Sequence, residues 1–409
     1  MKKIKFSFNS EVEKIIKKFS LNNDWNKNIN QDIDNYKSKK FNKKSFNRKD
    51  LKKLDFVTID GEDAKDFDDA VYCEKHESDW KLYVAIADVA HYVENNSNID
   101  KEARKRGTSV YFPGFVIPML PEVLSNNLCS LRPGEDKFTV MAEIIIGKDG
   151  KIKSYKFYNA LISSSARLTY TQVDDFLNKK KSITDKNVIK NINNLFSLYK
   201  ILKKSREKRH AVNFDTQEFS FLISKNNEIT GIKNNIRLES QKLIEECMIA
   251  ANVASSLFIK KNKSNSLYRV HDEPTLEKIE DASISLKNLG YSLNKTKIIC
   301  TEEINKIIEL SKKKLDDHLV TSIILRAMAR AEYTPKNIGH FGLSLKSYNH
   351  FTSPIRRYPD LIVHRIIKNI IEKKENQYDF NNLEKIGTLS SENERNAEAA
   401  ERELQSILL

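Results

Sequence analysis

The pattern of apolar and polar residues in the first part of the chain predicts β-structure. Apolar, strand-like runs occupy residues 54–59 and 70–73, and residues 80–89 alternate in the manner of a half-buried strand. Residues 140–152 predict a hairpin that turns at a Lys-Asp-Gly sequence. Residues 111–120 contain two prolines and a glycine, which predict an ordered loop with exposed aromatic side chains.

The second part of the chain predicts mainly helices. Residues 239–258 carry apolar side chains at i, i+4 and i+7 spacing, the strongest helical signal in the sequence. Two further helices are expected over residues 276–289 and 301–314. A last helix is expected over residues 391–409, where Ser391 and Glu394 have the spacing of a capping box.

An acidic cluster separates the first two strand-like runs. The segment TIDGEDAKDFDDAV, residues 58–71, carries Asp60, Asp66, Asp68 and Asp69, with two more carboxylates between them. Burying an ionised carboxylate without a partner costs several kcal/mol, so such a cluster between apolar strands needs a counter-charge. Hard divalent cations with oxygen ligands are the usual one. The alternative is an acidic surface loop. Asp88, at the end of the next strand, is a weaker candidate for the same site.

Composition indicates a soluble globular protein. The chain has 409 residues, of which 39% are hydrophobic and 31% charged. No stretch approaches the roughly 20 apolar residues of a membrane span, so no membrane association is expected. The start of the chain lacks the apolar core of a signal peptide. The four cysteines are scattered without any Cys-x-x-Cys, which favours neither zinc nor disulfides and predicts a reducing, cytoplasmic location.

The formal net charge of +14 indicates a polyanionic partner. The first fifty residues hold 14 Lys and Arg against 6 Asp and Glu. We interpret residues 1–47 as a basic Lys- and Asn-rich arm, flexible or partly helical. A basic exterior around an acidic cluster suits a protein that attracts a polyanion and holds metal inside. A general compositional bias toward Lys and Asn also contributes.

A second dense motif lies in residues 339–360. Its Arg356 and Arg357 suit bidentate phosphate contact, although a salt bridge is the alternative for Arg357. Its histidines lack regular metal spacing and are expected to form hydrogen bonds. On the helix predicted over residues 239–258, Glu245 and Asn252 share a stripe and can project into one site, unless they are simply solvated.

Together these features predict a metal-dependent phosphoryl hydrolase that acts on nucleic acid. Two metal ions can activate water and stabilise a leaving oxygen, and an arginine neutralises charge on the phosphate. Tyr111, Tyr170 and Phe214 are candidate aromatic residues for stacking on bases. These arguments leave open the direction of cleavage and the choice between exonuclease and endonuclease action.

Four motifs resemble the catalytic (RNB) domain of the ribonuclease II and ribonuclease R family. They are TIDGEDAKDFDDAV, YFPGFVIPMLP, LIEECMIAAN and HFTSPIRRYPDLIVHR, in that order, and the first and last are closer to the ribonuclease R branch. The resemblance covers residues 48–409. It implies an α+β fold, in which a mixed β-sheet is wrapped by helices around a narrow RNA channel. It also implies a processive, hydrolytic 3′→5′ exoribonuclease that degrades single-stranded RNA to nucleoside 5′-monophosphates with one or two Mg²⁺ ions.

The same resemblance implies roles for the catalytic groups. Asp60 and Asp69 match direct metal ligands, and Asp66 and Asp68 match residues that complete the site or hold a second metal ion. Arg356 matches the catalytic arginine beside the scissile phosphate.

The remaining matches concern the RNA. Tyr111 and Phe214 match aromatic residues that clamp the last bases. Tyr170 and Glu245 match the pair that contacts ribose at the 3′ end, and spacing selects Glu245 over its neighbour Glu246. Glu401 matches a glutamate near the 3′-terminal nucleotide.

One departure from the family opens rival hypotheses. Family members usually carry two cold-shock-like domains before this region and an OB-fold domain after it, which are expected to be missing here. One interpretation is that a partner subunit replaces these domains, and another is that the chain is a fragment. Otherwise the protein is expected to be a monomer. A non-catalytic RNA-binding or scaffold relative is the main alternative to an active enzyme. Endonuclease or DNase action is a third hypothesis.

Overall fold

A seven-stranded mixed β-sheet lies at the centre of the protein, as seen in a computed structural model that describes residues 8–38, 47–214, 218–223, 229–293 and 300–409. The strands of the chain are β1 Lys49–Asp50, β2 Val57–Asp60, β3 Asp69–His76, β4 Asp79–Ala87, β5 Val110–Phe112, β6 Phe115–Ile117, β7 Asp136–Ile146, β8 Ile152–Ser163, β9 Ala166–Thr169, β10 Glu218–Ile223, β11 Ile229–Asn235, β12 Tyr268–Val270 and β13 Glu332–Thr334.

Helices follow and separate these strands. They are α1 Phe8–Lys18, α2 Lys27–Ser38, α3 Val89–Tyr92, α4 Asn98–Arg106, α5 Tyr170–Leu177, α6 Lys186–Lys208, α7 Glu239–Lys261, α8 Leu276–Asn288, α9 Thr301–Lys314, α10 Asp317–Ala327, α11 Tyr358–Ile371 and α12 Phe380–Leu408. A short π-helical turn spans Val123–Leu128, and a 3-10 turn spans Phe341–Leu343.

The central sheet has the strand order β1-β8-β7-β4-β3-β2-β9. β1 pairs with β8 and β2 pairs with β9 in parallel, whereas the other neighbours are antiparallel. Nearly all of β4 is buried on both faces, because the sheet lies inside a shell of helices. The implied fold, a mixed sheet wrapped by helices, is therefore confirmed.

Three apolar clusters stabilise this architecture. The largest contains the sheet and the inward faces of α6, α7 and α11, and α7 is buried around most of its circumference. A second cluster is formed by α8, α9 and α10. A third joins α1, the β5–β6 hairpin and α12.

Several element predictions agree with the structure and others do not. The hairpin predicted over residues 140–152 is the β7–β8 pair, and the helix predicted from residue 239 is α7. Residues 111–120, predicted as a loop, include most of the β5–β6 hairpin. The last helix begins at Phe380, not at Ser391. The predicted capping box is wrong because the Ser391 hydroxyl lies inside α12, where it donates to the carbonyl of Gly387.

The N-terminal helices α1 and α2 pack against the rest of the protein. Val12 and Ile15 of α1 are buried in the third cluster, and Ile29 of α2 is buried in the largest one. Between the two helices, the Arg106 guanidinium lies 3.7 Å from the centre of the Trp25 ring. The interpretation of residues 1–47 as an arm did not anticipate this packing, because the apolar positions are few and scattered among Lys and Asn.

Asp88 belongs to a buried ion cluster and not to the acidic cluster of residues 60–69. Its carboxylate is fully buried and lies 2.6 Å from an Arg48 nitrogen and 2.7 Å from Lys368 Nζ. Burial alone would raise its pKa, but the two cations lower the pKa well below its ordinary value. Asp88 is therefore a structural anion, and its weak candidacy for the metal site is wrong.

All four cysteines carry free thiols, and three of them are buried. No helix among the described ranges has both the length and the apolar character needed to cross a membrane.

Truncating the buried side chain of α1 should destabilise the whole protein. Ile15→Ala removes a 2% exposed side chain from the third cluster. We expect the free energy of unfolding, measured by urea denaturation, to fall by about 2–4 kcal/mol. Glu13→Ala, at an exposed position of the same helix, is the control and should change it by less than about 0.5 kcal/mol. Equal values for both variants would contradict the packing of α1.

Candidate active site

Sheet register brings the two ends of the acidic segment together. β2 and β3 are antiparallel, with Val57 opposite Val71, so Asp60 at the end of β2 and Asp69 at the start of β3 lie at the same edge of the sheet. The Asp60 carboxylate accepts a hydrogen bond of 2.7 Å from the Gly61 N–H. The loop between the strands carries Asp66 and Asp68 back to this edge.

Two residues that the sequence did not single out support this loop. The Ser130 hydroxyl accepts a hydrogen bond of 3.0 Å from the Phe67 N–H and donates one of 2.8 Å to the Lys65 carbonyl. A terminal nitrogen of Arg167 donates to the carbonyls of Gly61 and Glu62, both at 2.7 Å. No local pattern marks either residue, since both lie far along the chain from the loop.

Asp68 joins the acidic loop to the arginine loop. One oxygen of its buried carboxylate accepts a hydrogen bond of 2.9 Å from the Ile355 N–H, and the other lies 4.0 Å from Arg356 Nε. The Arg356 side chain is 43% exposed, whereas the Asp68 side chain is only 7% exposed. Asp68 therefore restrains the guanidinium on its buried side, and the exposed side of the guanidinium is accessible to a ligand.

Arg357 has a different environment from its neighbour. It donates a hydrogen bond of 2.8 Å to the fully buried carboxylate of Asp360, whose same oxygen accepts from the Ser353 N–H at 2.8 Å. The salt-bridge alternative for Arg357 therefore describes the structure. Its role is to fold the loop that presents Arg356.

Burial dominates the electrostatics of the four aspartates. It raises the pKa of Asp60 and Asp66, raises the pKa of Asp69 to about 7, and raises the pKa of Asp68 well above its ordinary value. The positive charge of Arg356 lowers each of these pKa values in part. The charge of Arg167 also lowers the pKa of Asp60. Burial outweighs these cations, so the carboxylates favour a proton or a further positive charge.

Tyr170 reaches this site through the parallel pairing of β2 with β9. Asp60 is opposite Thr169, whose hydroxyl caps α5, and Tyr170 is the first residue of that helix. Burial raises the pKa of the Tyr170 hydroxyl, and the charges of Asp60 and Asp69 raise it further. Tyr170 therefore lies next to the sheet edge that carries Asp60.

Tyr111 reaches the site from the β5–β6 hairpin. The Ser109 N–H donates to the Arg356 carbonyl at 3.0 Å, so the strand that leads to Tyr111 runs along the arginine loop. Burial raises the pKa of the Tyr111 hydroxyl, and the Asp66 charge contributes in the same direction. The residue as a whole is still 40% exposed, which leaves its ring accessible.

Glu401, on α12, binds the backbone of the hairpin that carries Tyr111. Its carboxylate accepts a hydrogen bond of 2.6 Å from the Tyr111 N–H. At the base of the same strand, Gly107 has a φ of +71°, and a Cβ there would lie 2.6 Å from the Asn393 side chain of α12. The close approach of α12 thus requires glycine and sets the position of Tyr111.

Phe214 and Glu245 have contacts with residues outside the acidic cluster. Phe214 packs against the second apolar cluster, formed by α8, α9 and α10. Glu245 lies 3.1 Å from an Arg206 nitrogen and also pairs with Arg237. Its neighbour Glu246 is buried and lies 2.8 Å from the same Arg206 nitrogen. Arg206 therefore holds both glutamates.

The acidic site is chemically suited to a hard cation, although its side chains are not arranged as a closed coordination shell. In the part of the chain that the structure describes, no three His, Cys, Asp or Glu side chains are grouped as ligands around one point. All four donors are carboxylates with raised pKa values, and oxygen-only donor sets favour Mg²⁺, Ca²⁺ or Mn²⁺ over zinc.

Comparison with known proteins identifies related chains. A family model described as "RNB domain" matches residues 48–373. Ribonuclease R of Buchnera aphidicola is 44% identical over 93% of this chain and 54% of its own length. Ribonuclease R of Escherichia coli is 41% identical over 94% of this chain and 49% of its own length. The chain thus spans about half the length of these relatives.

A solved structure shows the same fold. Mycoplasma genitalium RNase R in complex with ribose methylated single-stranded RNA superposes with a TM-score of 0.92 at 31% identity, over 98% of this chain and 64% of that one.

The raised pKa values predict a pH-dependent stability of the metal-free protein. A carboxyl whose pKa is raised by folding binds more protons in the folded state, so it destabilises the fold as pH rises from about 4 to about 7. Between these two pH values, the Asp69→Asn variant should lose less unfolding free energy than the wild type, by on the order of 2 kcal/mol. Both proteins are measured in EDTA. Asp63→Asn, at an exposed position of the same loop, should keep the wild-type slope. Equal slopes for wild type and Asp69→Asn would contradict the burial of Asp69.

Proposed function

The chain belongs to the RNB domain family, and we propose that it is a processive 3′→5′ exoribonuclease that hydrolyses single-stranded RNA to nucleoside 5′-monophosphates. One observation carries the proposal. Asp68 accepts a hydrogen bond of 2.9 Å from the Ile355 N–H and lies 4.0 Å from Arg356 Nε, so the aspartate loop and the arginine loop meet at one place. An anchored guanidinium above a carboxylate cluster suits phosphodiester hydrolysis.

The four aspartates would hold Mg²⁺, as one or two ions. Asp60 and Asp69, which lie at the same edge of the sheet, would contact the metal ion directly, and Asp66 and Asp68 would complete the site. Bound Mg²⁺ supplies an activated water and stabilises the leaving oxygen. The under-neutralised carboxylates support this assignment, since a divalent cation would replace the protons that burial favours.

Arg356 would bind the scissile phosphate. Its guanidinium donates to the Ser353 hydroxyl at 3.2 Å, and the Asp68 contact restrains it from the buried side. A guanidinium held in this way loses little freedom when it binds a phosphate oxygen, so its charge is available as negative charge develops in the transition state.

Tyr111 and Tyr170 would bind the RNA near its 3′ end. The exposed ring of Tyr111 suits stacking on a base, and the hydroxyl of Tyr170, beside Asp60, suits contact with a ribose 2′-OH. Glu401 would act through its hydrogen bond to Tyr111. A narrow channel to this site, the clamping role of Phe214 and the ribose contact of Glu245 remain predictions.

The wider setting also remains predicted. We propose a cytoplasmic, monomeric enzyme with RNA as its partner, and a partner subunit where the flanking RNA-binding function is supplied in trans. The non-catalytic RNA-binding relative remains the alternative, and it predicts RNA binding that is indifferent to metal.

Loss of Asp68 should abolish turnover. On a 3′-labelled oligo(A) with Mg²⁺, the wild type should release labelled mononucleotide first, and EDTA should stop the reaction. Asp68→Asn should lower the rate by at least about 10²-fold, because it removes a negative charge from the cation site and loosens the hold on Arg356. Glu62→Gln, at an exposed position of the same loop, should retain activity. Release of longer products, or full activity in Asp68→Asn, would refute the proposal.

Substrate discrimination should depend on Tyr170. The wild type should degrade linear RNA and leave circular RNA and DNA of the same sequence intact. Tyr170→Phe should lower the ratio of kcat/KM for RNA to kcat/KM for DNA about tenfold, because it removes the hydroxyl that would contact the ribose 2′-OH. Tyr158→Phe is the matched control, because its hydroxyl donates to Glu143 on the central sheet at 2.7 Å. Cleavage of circular RNA would indicate endonuclease action instead.

A further inference from the structure

A strongly basic concavity lies on the surface between α8, α10 and α12. Basic side chains from α8, α10, α12 and the segment that follows α10 line it, namely Lys278, His318, Arg326, Arg330 and Arg402.

 

The basic concavity has a volume of about 620 Å³. A second concavity, of about 360 Å³, is lined by Lys75 and Lys148 together with Glu77 and Asp79, so its charges are balanced. No acidic side chain lines the basic concavity. The two surfaces therefore differ in charge, and the second one provides an internal control.

The cations of the basic concavity lack carboxylate partners within the described part of the chain. Some arginines elsewhere are paired with carboxylates: Arg269 lies 2.6 Å from Glu394, and Arg365 lies 2.7 Å from Asp100. Arg402 instead donates to the backbone carbonyl of Glu398 at 3.2 Å, which orients its guanidinium without neutralising it. Several unneutralised cations around one hollow repel each other, and a polyanion relieves that repulsion.

The position of Arg402 relates the basic concavity to the active site. Arg402 follows Glu401, whose carboxylate holds the Tyr111 hairpin. Successive residues of an α-helix point about 100° apart, so one side of α12 faces the hairpin and an adjacent side faces the basic concavity. The Tyr111 hairpin and the basic concavity therefore lie at neighbouring sides of the same helix.

The lining also indicates what part of a nucleic acid would bind. It contains the hydroxyls of Thr321 and Ser322 and the apolar side chains of Leu325 and Met328, but no Phe, Tyr or Trp ring. Bases need a flat apolar or aromatic partner for stacking, whereas phosphates need only cations and hydrogen-bond donors. The lining therefore favours the sugar–phosphate backbone.

We propose that the basic concavity binds the phosphate backbone of the RNA strand upstream of the active site. The basic concavity would be a second contact region for RNA, and it would not depend on the RNA sequence. This inference rests on the proposed function, which identifies the polyanion as RNA. Short RNA that fills only the active site would not reach it, whereas longer RNA would.

Binding measurements on matched charge variants test this site. In an Asp68→Asn background with EDTA, so that no RNA is hydrolysed, fluorescence anisotropy gives the Kd of oligo(A) of about 5 and about 20 nucleotides. Arg330→Gln/Arg402→Gln should raise the Kd of the longer RNA on the order of tenfold and change that of the shorter one less than about twofold. The slope of log K against log salt should fall by about 1.4 for the longer RNA, since each lost single-strand phosphate contact contributes about 0.7.

The control removes the same two charges from the second concavity. Lys75→Gln/Lys148→Gln should leave both Kd values within about twofold of the background protein. Equal weakening by the two double variants, or weakening that is independent of RNA length, would overturn the proposal. Competition by polyglutamate as effective as that by RNA at equal charge would assign the surface to an acidic protein instead.

These outcomes are separable from the test of the proposed function. Binding is measured without turnover, so a chain that fails to hydrolyse RNA can still show the length-dependent effect. Conversely, an active exoribonuclease whose Arg330→Gln/Arg402→Gln variant binds long RNA normally would refute this inference alone.

Discussion

The hydrogen bond from the Ile355 N–H to the Asp68 carboxylate connects two segments that are 287 positions apart in the chain. One segment supplies the carboxylates and the other supplies Arg356, so this contact brings the two halves of the candidate site together. Because Asp68 is buried, its carboxylate needs such a partner, and the same burial raises its pKa. The stability of the loop and the chemistry of the site are therefore linked through one side chain.

The surrounding structure holds the acidic loop in an electrostatically unfavourable position. Ser130 and Arg167 bind its backbone carbonyls and N–H groups, and the β2–β3 and β2–β9 pairings fix its two ends. These contacts fix the backbone of the loop, while the charges of Arg356 and Arg167 offset the effect of burial on the carboxylates only in part. Because the loop is held mainly through its backbone, its four carboxylates still attract a cation and the nearby Arg356.

Local patterns predicted those parts of the molecule in which short-range chemistry decides the structure. The β7–β8 hairpin and α7 follow from alternation and helical spacing, and the acidic cluster follows from its density of aspartates. Predictions were wrong where distant contacts decide. Ser391 resembles a helix cap, but its hydroxyl is held inside α12 and accepts from the Tyr333 N–H. Asp88 resembles a site residue until Arg48 and Lys368, remote in sequence, are placed beside it.

Local patterns also could not predict roles that depend on which neighbouring residues a side chain contacts. Spacing along α7 does not show that Arg206 binds both Glu245 and Glu246, and no motif shows that Phe214 packs against α8, α9 and α10. Motif resemblance assigns such residues a function, but only the fold shows which neighbours they have.

Helix α12 connects features that the sequence presents separately. Its buried side, with Ala400 and Leu404, joins α1 and the β5–β6 hairpin in one apolar cluster, and Lys18 of α1 lies 2.6 Å from Glu403. Glu401 turns toward Tyr111, and Arg402 turns toward the basic concavity. The N-terminal helices therefore contribute to the active site indirectly, because they pack against the helix that positions Tyr111. A shift of α12 would move the Tyr111 ring and the cations of the basic concavity together, so in the proposed enzyme the binding of the 3′ end would be coupled to the path of the upstream strand.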